Sequence, residues 1–200
     1  MENVDYEQLA LEAEAKGGTG EPSWTGIVDG YTIKSASIDD NGRGAIEFYQ
    51  PDNEKGFPIK LTVFPVDPEN VQVYAGKTKE QTVTNMIVKE NRLLKQLARQ
   101  FAPSDVVDVN FAAARGLDAK IAALNTCLPD DTSTVTGRLV LGYKGKYLSI
   151  PNNLEWSDDD KQFLPFFSTD PNQKMRSLPN GFTRSKPKEE AVVASEEVDY

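Results

Sequence analysis

Histidine is absent from this chain of 200 residues, and cysteine occurs once. Without histidine, the chain lacks the commonest general base and the commonest transition-metal ligand, so Cys–His zinc sites and Ser–His–Asp triads are excluded. Cys127 has no partner within the chain for a disulfide bond, which is typical of a protein kept in a reducing compartment. We therefore expect a protein that is not an enzyme and that needs neither a cofactor nor a metal.

Long apolar runs are also missing. Hydrophobic residues make up 38% of the chain, and no stretch approaches the roughly 18 apolar residues that a membrane helix requires. The first residues, 1–7, are acidic, whereas a secretory signal would be basic and then apolar. These features predict a cytoplasmic location, in the host cytoplasm if the protein is viral, without a membrane partner.

Charge is distributed unevenly along the chain, whose net charge is −9. Residues 55–150 carry 13 cationic and nine acidic side chains. Residues 1–54, in contrast, carry three cationic and twelve acidic side chains. The last 12 residues hold five carboxylates and no cation, and they end on Tyr200. A mildly basic middle between acidic ends favours a protein that binds polyanions while its own ends compete for the binding site.

The periodicity of apolar residues changes three times along the chain. Alternation with a period of two predicts five strands, and a period near 3.6 predicts a long helix and a short one. Ser157, followed by three aspartates, is typical of a helix start. The predicted strands are 24–38, 44–50, 58–64, 134–144 and 146–150, and the predicted helices are 78–101 and 117–124.

This order predicts an α+β, mainly β, fold. A five-stranded antiparallel barrel of the oligonucleotide- and oligosaccharide-binding (OB) type has a helical insertion between its third and fourth strands, as this chain does. Small α+β sandwiches share the same order. We expect an acidic N-terminal segment at 1–22, an OB-like domain at 23–168 and a disordered acidic tail at 169–200.

The hairpin at 137–150 interleaves three cations with two tyrosines, a mixture that suits single-stranded nucleic acid because cations follow phosphates and rings stack on bases. An ordinary soluble hairpin explains the same residues. Strand parity selects the outward-facing side chains of the other strands. The candidate nucleic-acid-binding residues are Lys34, Tyr49, Lys60, Phe64, Arg138, Tyr143, Lys144, Lys146 and Tyr147. The opposite parity predicts a core of Ile46, Phe48, Ile59, Leu61, Val63, Leu139 and Leu141.

Two other charged patterns have alternative interpretations. Lys89, Arg92, Lys95 and Arg99 form a stripe on the long helix, which would contact phosphate or simply face solvent. Aspartates at 39–40, 130–131 and 158–160 would bind Mg²⁺ in a nuclease, which predicts cleavage that depends on Mg²⁺. Because every aspartate cluster falls in a predicted turn or helix start, local hydrogen bonding explains them better.

The predicted barrel at 26–150 and the acidic segment at 189–200, which ends in an aromatic residue, together resemble bacteriophage single-stranded DNA-binding proteins. This resemblance implies binding of single-stranded DNA without sequence specificity during replication or recombination. It also implies that the tail competes for the groove and recruits replication or recombination proteins through Glu196, Glu197, Asp199 and Tyr200. A homo-oligomer is compatible with this interpretation. The alternative is a structural or adaptor protein, such as a virion or assembly component, that binds a protein partner.

Overall fold

The computed structural model describes residues 25–53 and 58–184. The predicted N-terminal segment at 1–22 and the residues from 185 onwards lie outside this part. The strands are β1 (Gly26–Ile38), β2 (Gly44–Tyr49), β3 (Ile59–Val63), β4 (Gly137–Lys144), β5 (Tyr147–Ser149), β6 (Glu155–Ser157), β7 (Gln162–Leu164) and β8 (Phe167–Ser168). The helices are α1 (Lys79–Ala98), α2 (Ser104–Ala112) and α3 (Gly116–Cys127), and a 3-10 turn spans Thr132–Thr134.

The main sheet is antiparallel and has the strand order β3-β2-β1-β4-β5, with β8 also paired to β4. Strands β1, β2 and β3 lie side by side in chain order, and β4 returns to lie beside β1. This arrangement is the Greek-key order. Within the described residues, β3 and β5 approach each other without pairing, so the sheet is not closed into a barrel. The fold is therefore α+β, with an open antiparallel sheet whose helices lie between the third and fourth strands.

All seven residues that parity assigned to the core are buried, from Ile46 in β2 to Leu141 in β4. Leu93, Leu94 and Leu97 of α1 pack in the same cluster. Aromatic contacts join the helices to the sheet, because the rings of Phe101 and Phe167 stack with their centroids 5.8 Å apart. The alternation of β3 is thus the pattern of a sheet with one face against the helices, whereas β4 is buried on both faces from Leu139 to Tyr143.

Strand β1 does not keep the single parity that was expected for it. Ile27 is exposed and Val28 is buried, although Ile27 has the same parity as Tyr31 and Ile33, which are buried. The pairing register shifts between Val28 and Tyr31, where Gly30 has a φ of 81°, and it shifts again between Ile33 and Ser35. Each extra residue reverses the side-chain direction that follows it.

The helix α1 has the start that its sequence predicts. Thr78 and Gln81 form a capping box, in which each side chain accepts a hydrogen bond from the other residue's backbone N–H. Pro103, which indicates where α1 stops, also directly precedes α2, a helix that the sequence pattern did not reveal. None of the described helices is both long enough and apolar enough to cross a membrane.

The prediction of a helix that starts at Ser157 is wrong. Ser157 is the last residue of β6, and a turn leads from it into β7. The Ser157 hydroxyl donates a hydrogen bond to Asp160 Oδ2 and accepts one from the Asp160 backbone N–H. These contacts close a hairpin turn with the same residues that would cap a helix.

The expectation of a tail from residue 169 is wrong for residues 169–184. Arg176 is buried and its guanidinium contacts the Asn153 carbonyl oxygen, while Leu178 packs against Gly142 of β4. Thr183 exchanges two backbone hydrogen bonds with Tyr143. The segment lacks periodicity because separate contacts along its length hold it, rather than one repeating face.

Candidate nucleic-acid interface

The tip of the β4–β5 hairpin presents three of the predicted residues together. Lys144 pairs with Tyr147, and the turn between them contains Gly145, whose φ of 59° suits a two-residue hairpin loop. Lys146 Nζ lies 5.5 Å from the centroid of the Tyr147 ring, and Tyr147 is 68% exposed. The two ammonium groups and the ring are therefore available to a ligand at one point on the surface.

The outer face of β1–β3 carries three more of the predicted residues. Register pairs Tyr49 with Thr32 and Lys60 with Glu47, so Tyr49 and Lys60 lie on the face opposite the core. Lys34 is exposed at the second register shift of β1. Glu47 lies in the middle of this face and pairs with Ser35 as well as Lys60. This carboxylate leaves the strand face less cationic than the hairpin tip.

Phe64 follows β3 and is 62% exposed, but it contributes to a different surface. It lines a cleft of about 300 Å³ with Tyr74 and with Met86 and Lys89 of α1. Phe64 therefore belongs to the helix side of the molecule, although its parity within β3 predicted the outer face of the sheet.

Two predicted residues have structural roles. Tyr143 shares the parity of Leu139 and Leu141 and is only 7% exposed, so its ring is not open to stacking with a base. The Arg138 guanidinium donates hydrogen bonds to the carbonyl oxygens of Asp170 and Gln173, at 2.9 and 2.7 Å. These bonds direct Arg138 towards the segment after β8, which was expected to be a tail. Neither residue enters the interface proposed below.

The predicted partner-binding residues Glu196, Glu197, Asp199 and Tyr200 lie outside the described residues. They remain a prediction from the sequence.

The aspartate clusters take part in local turns. Asp39 accepts hydrogen bonds from the backbone N–H groups of Asn41 and Arg43 and from the Arg43 side chain, and the Arg43 backbone contributes most to lowering the pKa of Asp39. Similarly, the Ser133 hydroxyl and N–H lower the pKa of Asp131. Among the described residues, no group of three or more potential ligands is placed to hold a metal ion.

The cationic stripe on α1 is more than a solvated helix face. Lys95 and Arg99 both contact Asp108 of α2, and the Arg92 guanidinium lies 5.0 Å from the centroid of the Phe163 ring in β7. The periodicity of α1 predicted the stripe but not its contact with the β6–β7 hairpin. The feature of the sequence that could have indicated this contact is the pair of aromatic residues Trp156 and Phe163, which lie opposite each other in that hairpin.

Comparisons of this chain with protein-family models, with curated proteins and with solved structures found no match.

Proposed function

We propose that this protein binds single-stranded DNA without sequence specificity, during DNA replication or recombination. The tip of the β4–β5 hairpin is the main contact, and the outer face of β1–β3 extends it. We further propose that the sheet is an open relative of the OB barrel. The Greek-key order and the position of the helices support this relation.

The OB fold binds oligonucleotides on the face of its second and third strands and on the loops that join strands 1–2 and 4–5. In this chain, the corresponding face carries Tyr49 and Lys60, and the β4–β5 loop carries Lys144 and Lys146. The correspondence follows from topology alone, and it selects residues that are exposed or half-buried.

The observation that carries the proposal is the pair of Lys146 and Tyr147. A tyrosine ring that is 68% exposed at a hairpin tip contributes little to the core. Beside two ammonium groups, it offers a stacking surface where phosphates would also be neutralised. Stacking on an aromatic side chain contributes about 1–3 kcal/mol per base and accepts any base. Phosphate neutralisation releases counterions, so affinity would fall with rising salt.

The acidic C-terminal residues complete the proposal. Residues 189–200 would compete with DNA for the cationic surface through their five carboxylates. Once DNA displaces them, Glu196, Glu197, Asp199 and Tyr200 would recruit replication or recombination proteins. The described chain reaches Arg184 next to β1, because the Thr25 hydroxyl donates a hydrogen bond to the Arg184 carbonyl oxygen at 2.8 Å.

A second candidate function, protein binding by an adaptor, is favoured by an exposed apolar surface. The exposed Phe64 and Tyr74 line one cleft, the exposed Ile87 and Val88 line a second, and Val66 lines both. Exposed apolar residues that gather in this way are typical of surfaces that contact other proteins. An adaptor that uses only this surface would bind a protein partner and would show no affinity for oligonucleotides that depends on salt.

Fluorescence anisotropy of a labelled oligo-dT tests the proposal with the full-length protein. The oligonucleotide would have about 15 nucleotides, near the upper end of the site size of one OB domain. We expect binding that weakens steeply between low and moderate salt. No binding at low salt would refute the proposal and would favour the adaptor.

A further inference from the structure

A cleft of about 450 Å³ separates the second half of α1 from the β6–β7 hairpin. Three cationic and three amide side chains line it, together with two apolar residues. No carboxylate lies among these residues, although the whole chain has 31 acidic and 22 basic side chains. The lining residues are Asn91, Arg92, Lys95, Gln96, Arg99, Leu154, Gln162 and Phe163.

One carboxylate beside the cleft is shared by two of its cations. Lys95 Nζ and Arg99 NH2 lie 2.8 and 3.2 Å from the same oxygen, Asp108 Oδ1 of α2. Arg92 is the third cation, and its guanidinium lies over the Phe163 ring. The positive charge of the three side chains therefore exceeds the negative charge of Asp108 by two. Asp108 also fixes the direction of two long side chains, which reduces the entropy they would lose on binding an anion.

The opposite wall supplies one aromatic ring, that of Phe163. Trp156 does not line the cleft, but it contacts Phe163 edge to face, with the ring centroids 5.0 Å apart, and it is about half exposed. Gln96 holds this wall against α1, because its Nε2 donates a hydrogen bond to the Phe163 carbonyl oxygen at 3.0 Å. Gln96 Oε1 is buried and has no hydrogen-bond partner within the described residues.

We propose that this cleft is a second contact for nucleic acid, in which Arg92, Lys95 and Arg99 hold a phosphate group and Trp156 stacks on a neighbouring base. The inference rests on the function proposed above and adds a site distant in sequence from the β4–β5 hairpin. Guanidinium groups bind phosphate through paired N–H donors. The adjacent aromatic surface favours a nucleotide over an acidic peptide, since bases stack on rings.

Two measurements on the full-length protein test this inference. The first is the salt dependence of oligo-dT affinity for the double variant Arg92→Gln/Arg99→Gln. A matched control, Lys77→Gln/Lys79→Gln, removes the same charge at the N-terminal end of α1, outside the cleft. Each phosphate contact on a single strand contributes about 0.7 to the slope of log affinity against log salt. The cleft is proposed to hold one phosphate group, so we expect the cleft variant to reduce the slope by about 0.7 and the control to leave it unchanged.

The second measurement follows the indole N–H resonance of Trp156 by NMR, assigned with Trp156→Phe. Oligo-dT should shift this resonance in the wild type and leave it unshifted in Arg92→Gln/Arg99→Gln. The conservative variant Arg92→Lys/Arg99→Lys should retain the positive charge and most of the salt slope. Thermal unfolding of each variant shows whether it is folded.

The outcomes separate this inference from the proposed function. If Lys144→Gln/Lys146→Gln weakens binding while the cleft variant binds as the wild type does, the hairpin function stands and the cleft assignment is wrong. If the wild type does not bind oligo-dT, both are wrong. If oligoglutamate of matched charge shifts the Trp156 resonance as oligo-dT does, the cleft is a site for acidic peptides, and the nucleic-acid assignment is overturned.

Discussion

Lys120 and Glu90 form a buried ion pair between α3 and α1, with Lys120 Nζ 2.6 Å from Glu90 Oε1. Their side chains are only 6% and 7% exposed. Each of these two charges is stabilised by the other, because water cannot reach either one to take the place of its partner. The pair fixes how α3 lies against α1, and α1 carries the cationic stripe.

Replacing Lys120 with alanine should destabilise the protein strongly, because the Glu90 carboxylate would remain buried without its partner. Losing one member of a buried pair typically costs about 3–5 kcal/mol. The double variant Lys120→Met/Glu90→Leu should recover most of this loss. Urea unfolding measures both free energies, and a loss below about 1 kcal/mol for Lys120→Ala would show that solvent reaches Glu90.

Arg138 should affect stability and leave the β4–β5 hairpin tip unchanged. Arg138→Ala removes hydrogen bonds to the carbonyl oxygens of Asp170 and Gln173, and bonds from charged donors contribute about 1.5–3 kcal/mol each. We expect a lower free energy of unfolding and easier proteolysis after residue 168. The salt slope of DNA binding should match that of the wild type, and a reduced slope would return Arg138 to the interface.

The contact of Asp108 with α1 should make stability depend on pH. The hydrogen bond from Lys95, aided by Arg99, lowers the pKa of Asp108 below its ordinary value. The ionised carboxylate therefore stabilises the fold above about pH 4, its unfolded pKa range, and this contribution disappears as pH falls through the lower folded pKa.

Comparison with Asp108→Asn isolates this contribution. The difference in urea midpoint between the wild type and the variant should be constant at neutral pH and should shrink below about pH 4. A difference that grows on acidification would contradict the assignment.

Removing residues 189–200 should tighten the binding of oligo-dT at low salt, because five competing carboxylates are lost. The same truncation should abolish the recruitment of replication or recombination proteins. Anisotropy with the full-length protein and with a chain that ends at Lys188 measures the first effect. Equal affinities would rule out competition by the tail while leaving DNA binding intact.

The parts of the fold that the sequence revealed are those with a local repeating signal. Alternation located β1 to β5 but not β6 to β8, and the helical period located α1. The two register shifts of β1 had no such signal, since Gly30 permits a positive φ without requiring it. The packing of residues 169–184 was also hidden, because Arg176 and Leu178 make contacts with distant residues rather than with a periodic face.

In the candidate interface too, contacts between neighbours in the chain could be predicted, whereas contacts between distant residues could not. Lys146 and Tyr147 are neighbours in the chain and on the hairpin, so their juxtaposition followed from the sequence. Arg92 and Phe163 meet only through the packing of α1 against the β6–β7 hairpin, which no local pattern encodes. The contacts of Arg138 were hidden for the same reason, as its partners lie in the segment after β8.

The central claim is that the hairpin tip binds single-stranded DNA, and Tyr147→Ala tests it most directly. Tyr74→Ala is the matched control, because Tyr74 is also exposed and lies beside a lysine, with Lys89 Nζ 5.8 Å from its ring centroid. By anisotropy with oligo-dT, we expect Tyr147→Ala to weaken binding by about 1–3 kcal/mol and Tyr74→Ala to leave it unchanged. Wild-type affinity in Tyr147→Ala would contradict the account.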